Sequence, residues 1–157
     1  TLAILDGQLV RVGSDTFIIP LVSIVESLQI NQKSVNTIAG SSEIYKLRDD
    51  YIPIVRLYDV FGQTPDSETL VGGLLVVVEG EGQKVGLFVD EMLGQQQVVI
   101  KSLETNFKRI EGISGATILG DGKVSLILDV AGLIRASQSF PRRSRTPFVD
   151  SGLNAVA

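Results

Sequence analysis

Apolar and polar residues alternate along this chain in short runs that Gly, Asp, Asn and Ser divide, which predicts a mostly β fold. Gln8 to Val12 and Phe17 to Pro20 flank Gly13-Ser14-Asp15, a hairpin signal with a glycine free to take positive φ. After Pro20, LVSIVESLQI suits about one helical turn and then an extended run. Asn31 to Ser42 is polar around Val35, Ile38 and Ala39 and reads as a surface loop. Glu43 to Leu47 and Tyr51 to Arg56 read as strands joined at Arg48-Asp49-Asp50. LYDVF suits a short helix burying Leu57, Val60 and Phe61, closed by Gly62.

The second half has the same style. Gly73 to Glu79 and Lys84 to Val89 surround Gly80-Glu81-Gly82, and the unbroken apolar run Leu74 to Val78 suits a strand covered on both faces. Gly94 to Leu103 is extended, and an irregular polar crossing runs through Asn106 to Glu111. Ala116 to Leu119 and Val124 to Asp129 pair about Gly120-Asp121-Gly122-Lys123, and Val130 to Ser137 is a closing helix with Val130, Leu133 and Ile134 inward. So many short strands exceed one small barrel and fit two packed β units sharing a core, about 8–62 and 73–129, with exchange of strands between them open. The domain edge falls near Ser137, and 138–157 reads as a flexible basic tail.

Composition narrows the chemistry. The chain has 157 residues, 44% of them hydrophobic, enough for one cored domain. It contains no Cys and no His, so disulfides, thiol or imidazole catalysis, the usual zinc ligands and a phosphoacceptor histidine are excluded. The net charge is −4, split into a body of −6 and a tail of +2, which argues against a phosphate-binding surface. No uncharged run exceeds ten residues, too short to span a bilayer. No signal-peptide succession opens the chain, and Thr1 is not an initiator Met, so either the numbering starts inside a larger protein or the chain was cut.

Four runs carry a family resemblance: IPLVSIVESLQ at Ile19 to Gln29, YIPIVRLYDVFG at Tyr51 to Gly62, VGLFVDEMLGQQQVVIKSLE at Val85 to Glu104, and GISGATILGDGKVSLILDVAGL at Gly112 to Leu133. They resemble the CheW-like regulatory domain at the C-terminus of the bacterial chemotaxis histidine kinase CheA, over about residues 1–135. The opening TLAILDGQLVRVG and GQQQVVIKSLE are more similar to the kinase module than to free-standing CheW adaptors. The resemblance implies an all-β fold of two packed five-stranded SH3-like barrels with short helices. It also implies a non-catalytic role in the cytoplasm, at membrane receptor arrays, docking the kinase to a CheW-type adaptor and to chemoreceptor tips. The tail and the loop 31–42 inherit little from it.

Other chemical signals have plainer readings. Gly80-Glu81-Gly82 is followed by a strand, whereas a phosphate cradle needs a helix N-terminus there. Gly120-Asp121-Gly122-Lys123 lacks the Walker spacing, and Asp49-Asp50 and Asp90-Glu91 lack calcium-loop spacing. Arg142, Arg143 and Arg145 give weak, salt-sensitive attraction without specificity, and few aromatics interleave with cations, so nucleic acid and direct membrane insertion are not expected. No cofactor or metal is expected either. An enzyme pairing Asp49 with Asp90 or Asp129 is the remaining alternative besides a free-standing adaptor. Ile38 and Tyr51 are apolar groups where a solvated loop does not need them; the resemblance makes them contacts on the first subdomain, with Leu74 the opposite contact on the second.

Overall fold

The computed structural model describes residues 3–38, 42–102 and 110–139. In chain order its strands are β1 (Ala3–Val12), β2 (Asp15–Pro20), β3 (Ile24–Gln29), β4 (Val35–Ile38), β5 (Ser42–Leu47), β6 (Asp50–Arg56), β7 (Leu74–Gly80), β8 (Gln83–Val89), β9 (Glu91–Ser102), β10 (Ile113–Ile118) and β11 (Val124–Leu128). Helix α1 (Leu57–Phe61) follows β6 and α2 (Val130–Ser139) follows β11, with single 3-10 turns at Leu21–Ser23 and Gln32–Ser34. The basic tail and the crossing at 103–109 lie outside the described residues.

The strands form two units, one continuous in sequence and one split around it. One is a closed five-stranded barrel in the order β1-β2-β11-β10-β9; the other is a six-stranded sheet in the order β3-β7-β8-β6-β5-β4. The sequential grouping 8–62 and 73–129 therefore gives way to a nested one, with the sheet inserted between the second and third barrel strands in chain order. Pro20 ends β2, the 3-10 turn redirects the chain, and 24–89 builds the six-stranded sheet before β9 returns to close the barrel. Each unit is completed by one parallel pairing, Phe17–Ile18 against Leu126–Ile127 in the barrel and Ile54–Arg56 against Gly86–Phe88 in the sheet.

Alternation explains how the two units share a core. Along β1 and β2, Leu9 and Ile18 point into a small cluster with Val98 and Ile127, filling the barrel. Their neighbours Val10, Val12, Phe17 and Ile19 point the other way, into one large cluster with Ile52, Leu75 to Val78, Leu87, Phe88 and Leu133. Both faces of these two strands are thus covered where Leu9, Val10 and Phe17 to Ile19 lie.

Three local details differ from expectation. The second sheet has six strands instead of five, because part of the polar stretch 31–42 forms β4, an edge strand paired only with β5. In α1 the buried pair is Leu57 and Tyr58, while Val60 faces solvent and Phe61 stacks on Phe17 of the barrel at 5.1 Å between ring centroids. Five residues are too few for a full apolar stripe, so tertiary contacts choose the face. Helix α2 runs two residues past Ser137, with Asp129 Oδ1 accepting the Gly132 N–H at 3.1 Å and Val130, Leu133 and Ile134 buried as the spacing predicts.

Candidate functional site

The β4-β5-β6 meander presents one face to solvent. Its registers place Ile38 opposite Ser42, Asn36 and Pro53 opposite Ile44, and Tyr51 opposite Lys46. Directly opposed residues share a face, as do residues two and four apart on a strand. Ile38, Ile44, Lys46, Tyr51 and Pro53 therefore lie on one surface, with Ile38 and Tyr51 separated by about 13 Å along β5. Ile38 is 51% and Tyr51 61% exposed. Lys46 Nζ stands 5.9 Å from the centre of the Tyr51 ring, holding an aromatic in place without burying it. The opposite face of the meander carries Tyr45 and Ile52 into the core.

Two of the three residues singled out in the sequence are thus brought together. Leu74 is not with them, and it lies on the same six-stranded sheet as they do, not on the other unit where the sequence reading puts it. It opens β7, opposite Gln29 of β3 and Val89 of β8, and is half-buried against the large core. Ile44 and Pro53 escaped the sequence reading, although the β5-β6 hairpin register, once drawn, puts both beside Tyr51. Pro53 also marks where β6 changes partners: Asp50 to Pro53 pair with β5, and Ile54 to Arg56 pair with β8. A proline, which lacks an N–H, is tolerated at such a boundary.

Beneath this face lies a buried ion pair. Arg56 donates from Nε to Glu43 Oε1 and from Nη2 to Glu43 Oε2, each at 2.8 Å, and from Nη1 to the Tyr58 hydroxyl and the Glu68 carbonyl, each at 2.6 Å. The guanidinium also faces the Phe88 ring, 5.8 Å from its centre. Burial works against the charged guanidinium, but the Glu43 carboxylate and the Tyr58 hydroxyl outweigh it and raise its proton affinity. The pair fixes β5 on β6 and so fixes the exposed face.

The carboxylates of the enzyme alternative are occupied with structure and stand apart on the fold. Asp49 sits in the exposed β5-β6 turn. Asp90, between β8 and β9, accepts the N–H groups of Gly13 and Asp66 through Oδ2. Asp129 caps α2. The glycine turns are equally structural. Glu81 and Gly82 take positive φ of 52° and 78°, as a tight hairpin requires, and Asp121 Oδ1 accepts the Lys123 N–H at 2.9 Å. Among the described residues no group of three His, Cys, Asp or Glu could hold a metal ion, and no helix is long and apolar enough to cross a membrane. An open depression of about 220 Å³ is lined by Asp6, Gly7, Leu21 and Gln95 to Gln97.

Comparison with known proteins agrees with this architecture. The chain is 44% identical over 133 residues to the chemotaxis protein CheA of Salmonella typhimurium, covering 85% of this chain and 20% of that protein. It is 42% identical over 139 residues to CheA of Rhizobium meliloti, and 40% identical over 139 residues to the sensor histidine kinase CheAY of Helicobacter pylori. These matches cover 88% of this chain in each case, and 18% and 17% of the relatives, so the chain spans about a fifth of the length of such proteins. The crystal structure of the scaffolding protein CheW from Thermoanaerobacter tengcongensis shares the fold, with a TM-score of 0.65 at 18% identity over 81% of this chain and 90% of that one. With residues 6–138 matching the CheW-like domain, this chain belongs to the CheW-like domain family.

Proposed function

We propose that the chain is the regulatory and scaffolding domain of a chemotaxis histidine kinase, docking that kinase to a CheW-type adaptor and to the cytoplasmic tips of chemoreceptors. The observation that carries this reading is the 44% identity to CheA over 85% of the chain. The exposed face holding Ile38 and Tyr51 supplies a surface for it, since apolar and aromatic side chains held out by a rigid sheet are the groups that anchor protein interfaces. Leu74, on β7 toward the other edge of the same six-stranded sheet, is the second contact. Unlike faces on one molecule join head to tail, so alternating modules close into rings. The domain contributes no phosphoryl transfer of its own, works in the cytoplasm beside receptor arrays, and takes no nucleic acid.

Titrating the domain with a purified CheW-type adaptor tests the reading. Saturable one-to-one binding is expected, and absence of binding by the folded domain would sink it. A free-standing adaptor is a second reading, favoured by the structural likeness that covers 90% of a CheW scaffold. An immunoblot of the native polypeptide separates the two: a band several times larger than 16.9 kDa supports the kinase module, and one near that mass the adaptor.

A further inference from the structure

We propose that residues 62–70 form a strap latched across the junction of the two units, whose barrel end opens by itself when its ionic contacts are removed. The strap leaves the six-stranded sheet after α1, touches the barrel and returns to enter β7. At the barrel it meets Arg11 of β1. Arg11 Nη1 and Nη2 donate to Asp66 Oδ1 and Oδ2 at 3.1 and 2.7 Å, Nη1 also reaches the Gly13 carbonyl at 2.8 Å, and Nε donates to Glu91 at 3.0 Å. The Asp66 N–H donates to Asp90 Oδ2 at 3.0 Å, and the Gly13 N–H donates to the same oxygen at 2.6 Å. One carboxylate thus holds strap and β1-β2 turn together, and a Cβ at Gly13 would collide with the Thr64 carbonyl.

The other end is held differently. Arg56 Nη1 grips the Glu68 carbonyl from inside the protein, Leu70 is buried, and Gly73 N–H to Leu70 and Gly72 N–H to Ile30 close the chain onto β3. Between the two anchors, Ser67 to Thr69 are exposed and take part in no strand. The outer part of the barrel anchor is charged and solvent-accessible, with Asp66 more than half exposed, so salt and charge removal weaken it, while the Asp90 side chain behind it is only 5% exposed. The sheet anchor is shielded, made of a buried guanidinium, backbone hydrogen bonds and buried Leu70, so they do not. Opening at the barrel end removes a brace between the units while leaving both folded, which makes the junction adjustable.

Hydrogen exchange of the intact chain tests this, comparing wild type with Arg11→Gln, Asp66→Asn and Leu70→Ala. Arg11→Gln and Asp66→Asn are each expected to speed exchange of the Gly13 and Asp66 amides by about fivefold, with Gly72 and Gly73 unchanged. Raising salt should do the same to wild type and little to Arg11→Gln. Leu70→Ala should speed Gly72 and Gly73 and spare Asp66. Unchanged Gly13 and Asp66 in both charge variants, or parallel acceleration at both ends of the strap, would overturn the proposal.

Discussion

Arg56 and Glu43 face each other through two parallel hydrogen bonds of 2.8 Å, with side chains only 7% and 9% exposed. The β5-β6 register ends at Ile44 opposite Pro53, so Glu43 and Arg56 meet just beyond the last paired residues, where β6 has passed to β8. A buried pair of this kind is no guarantee of net stability, but losing one partner strands the other charge in a dry site. Glu43→Gln and Arg56→Met are each expected to lower unfolding free energy by about 3 kcal/mol. The combined Glu43→Gln/Arg56→Met chain should lose less than the sum of the two. Urea denaturation of the three variants checks this, and additive losses would show that the residues act independently.

The proposed docking face gives a second expectation. Tyr51→Ala and Ile38→Asp remove exposed side chains, so melting temperature should hardly change. If they anchor the adaptor, each should cost about 2 kcal/mol of binding, roughly thirtyfold in affinity. Calorimetric titration with a CheW-type adaptor reads this directly; normal affinity in both would move the contact elsewhere. Leu74→Thr keeps a strand-forming residue at a half-buried position and is expected to spare adaptor binding while impairing ring closure, visible as smaller species in sedimentation.

Much of the fold was legible because its signals are local. Gly13, Gly82 and Gly122, all at positive φ, mark hairpins that the residue types announce. The nesting of the two units was not legible, since the pairing of Phe17–Ile18 with Leu126–Ile127 joins residues more than a hundred positions apart with nothing local to signal it. Edge strand β4 was hidden for a related reason: VNTI has only two apolar residues, and none of the four is fully buried. Ile38 and Tyr51 stood out as apolar residues in polar surroundings, whereas Ile44 and Pro53 needed the register first.

Close packing in the central strands makes glycine substitutions informative. A Cβ at Gly86, in β8 between β7 and β6, would lie 2.8–2.9 Å from three side-chain carbons of Leu75, which is itself fully buried. No flexible side-chain end is available to give way. Gly86→Ala is therefore expected to destabilise by about 1–3 kcal/mol despite better strand propensity, as overpacking does. Thermal denaturation checks it, with Gly94→Ala, which meets nothing within 4 Å, as the control expected to change little.

The ionic latch predicts a pH effect of definite sign. Hydrogen bonds from Arg11 hold the Asp66 carboxyl below its ordinary range, against a smaller opposing effect of burial, and the same pairing raises Arg11. A carboxyl whose pKa is depressed on folding stabilises the fold above its unfolded value of about 3.9, and that contribution fades as pH falls through the lower folded value. Carbon-detected titration of the Asp66 carboxyl should give a midpoint below that of a free aspartate, and Arg11→Gln should return it upward. A wild-type midpoint at the ordinary value would show the contact is not kept in solution.

Nesting of the sheet segment within the barrel means that one cut in the middle of the chain divides both units. Cutting between Gly62 and Gly72 leaves β1 to β6 on one fragment and β7 to β11 on the other, so the barrel loses β9, β10 and β11 from its first two strands, and the sheet loses β7 and β8 from its centre. Neither fragment can close a barrel, and the Leu75 to Val78 run, buried on both sides in the whole chain, would face water. An incomplete sheet of this size cannot recover the conformational entropy of ordering. Each fragment alone is therefore expected to show no cooperative melt, while mixing them should restore a single transition by re-forming the β3-β7, β6-β8, β1-β9 and β2-β11 pairings together. Circular dichroism melts of the separate and mixed fragments read the outcome. A sharp transition from either fragment alone would mean that one unit folds without the strands carried on the other fragment.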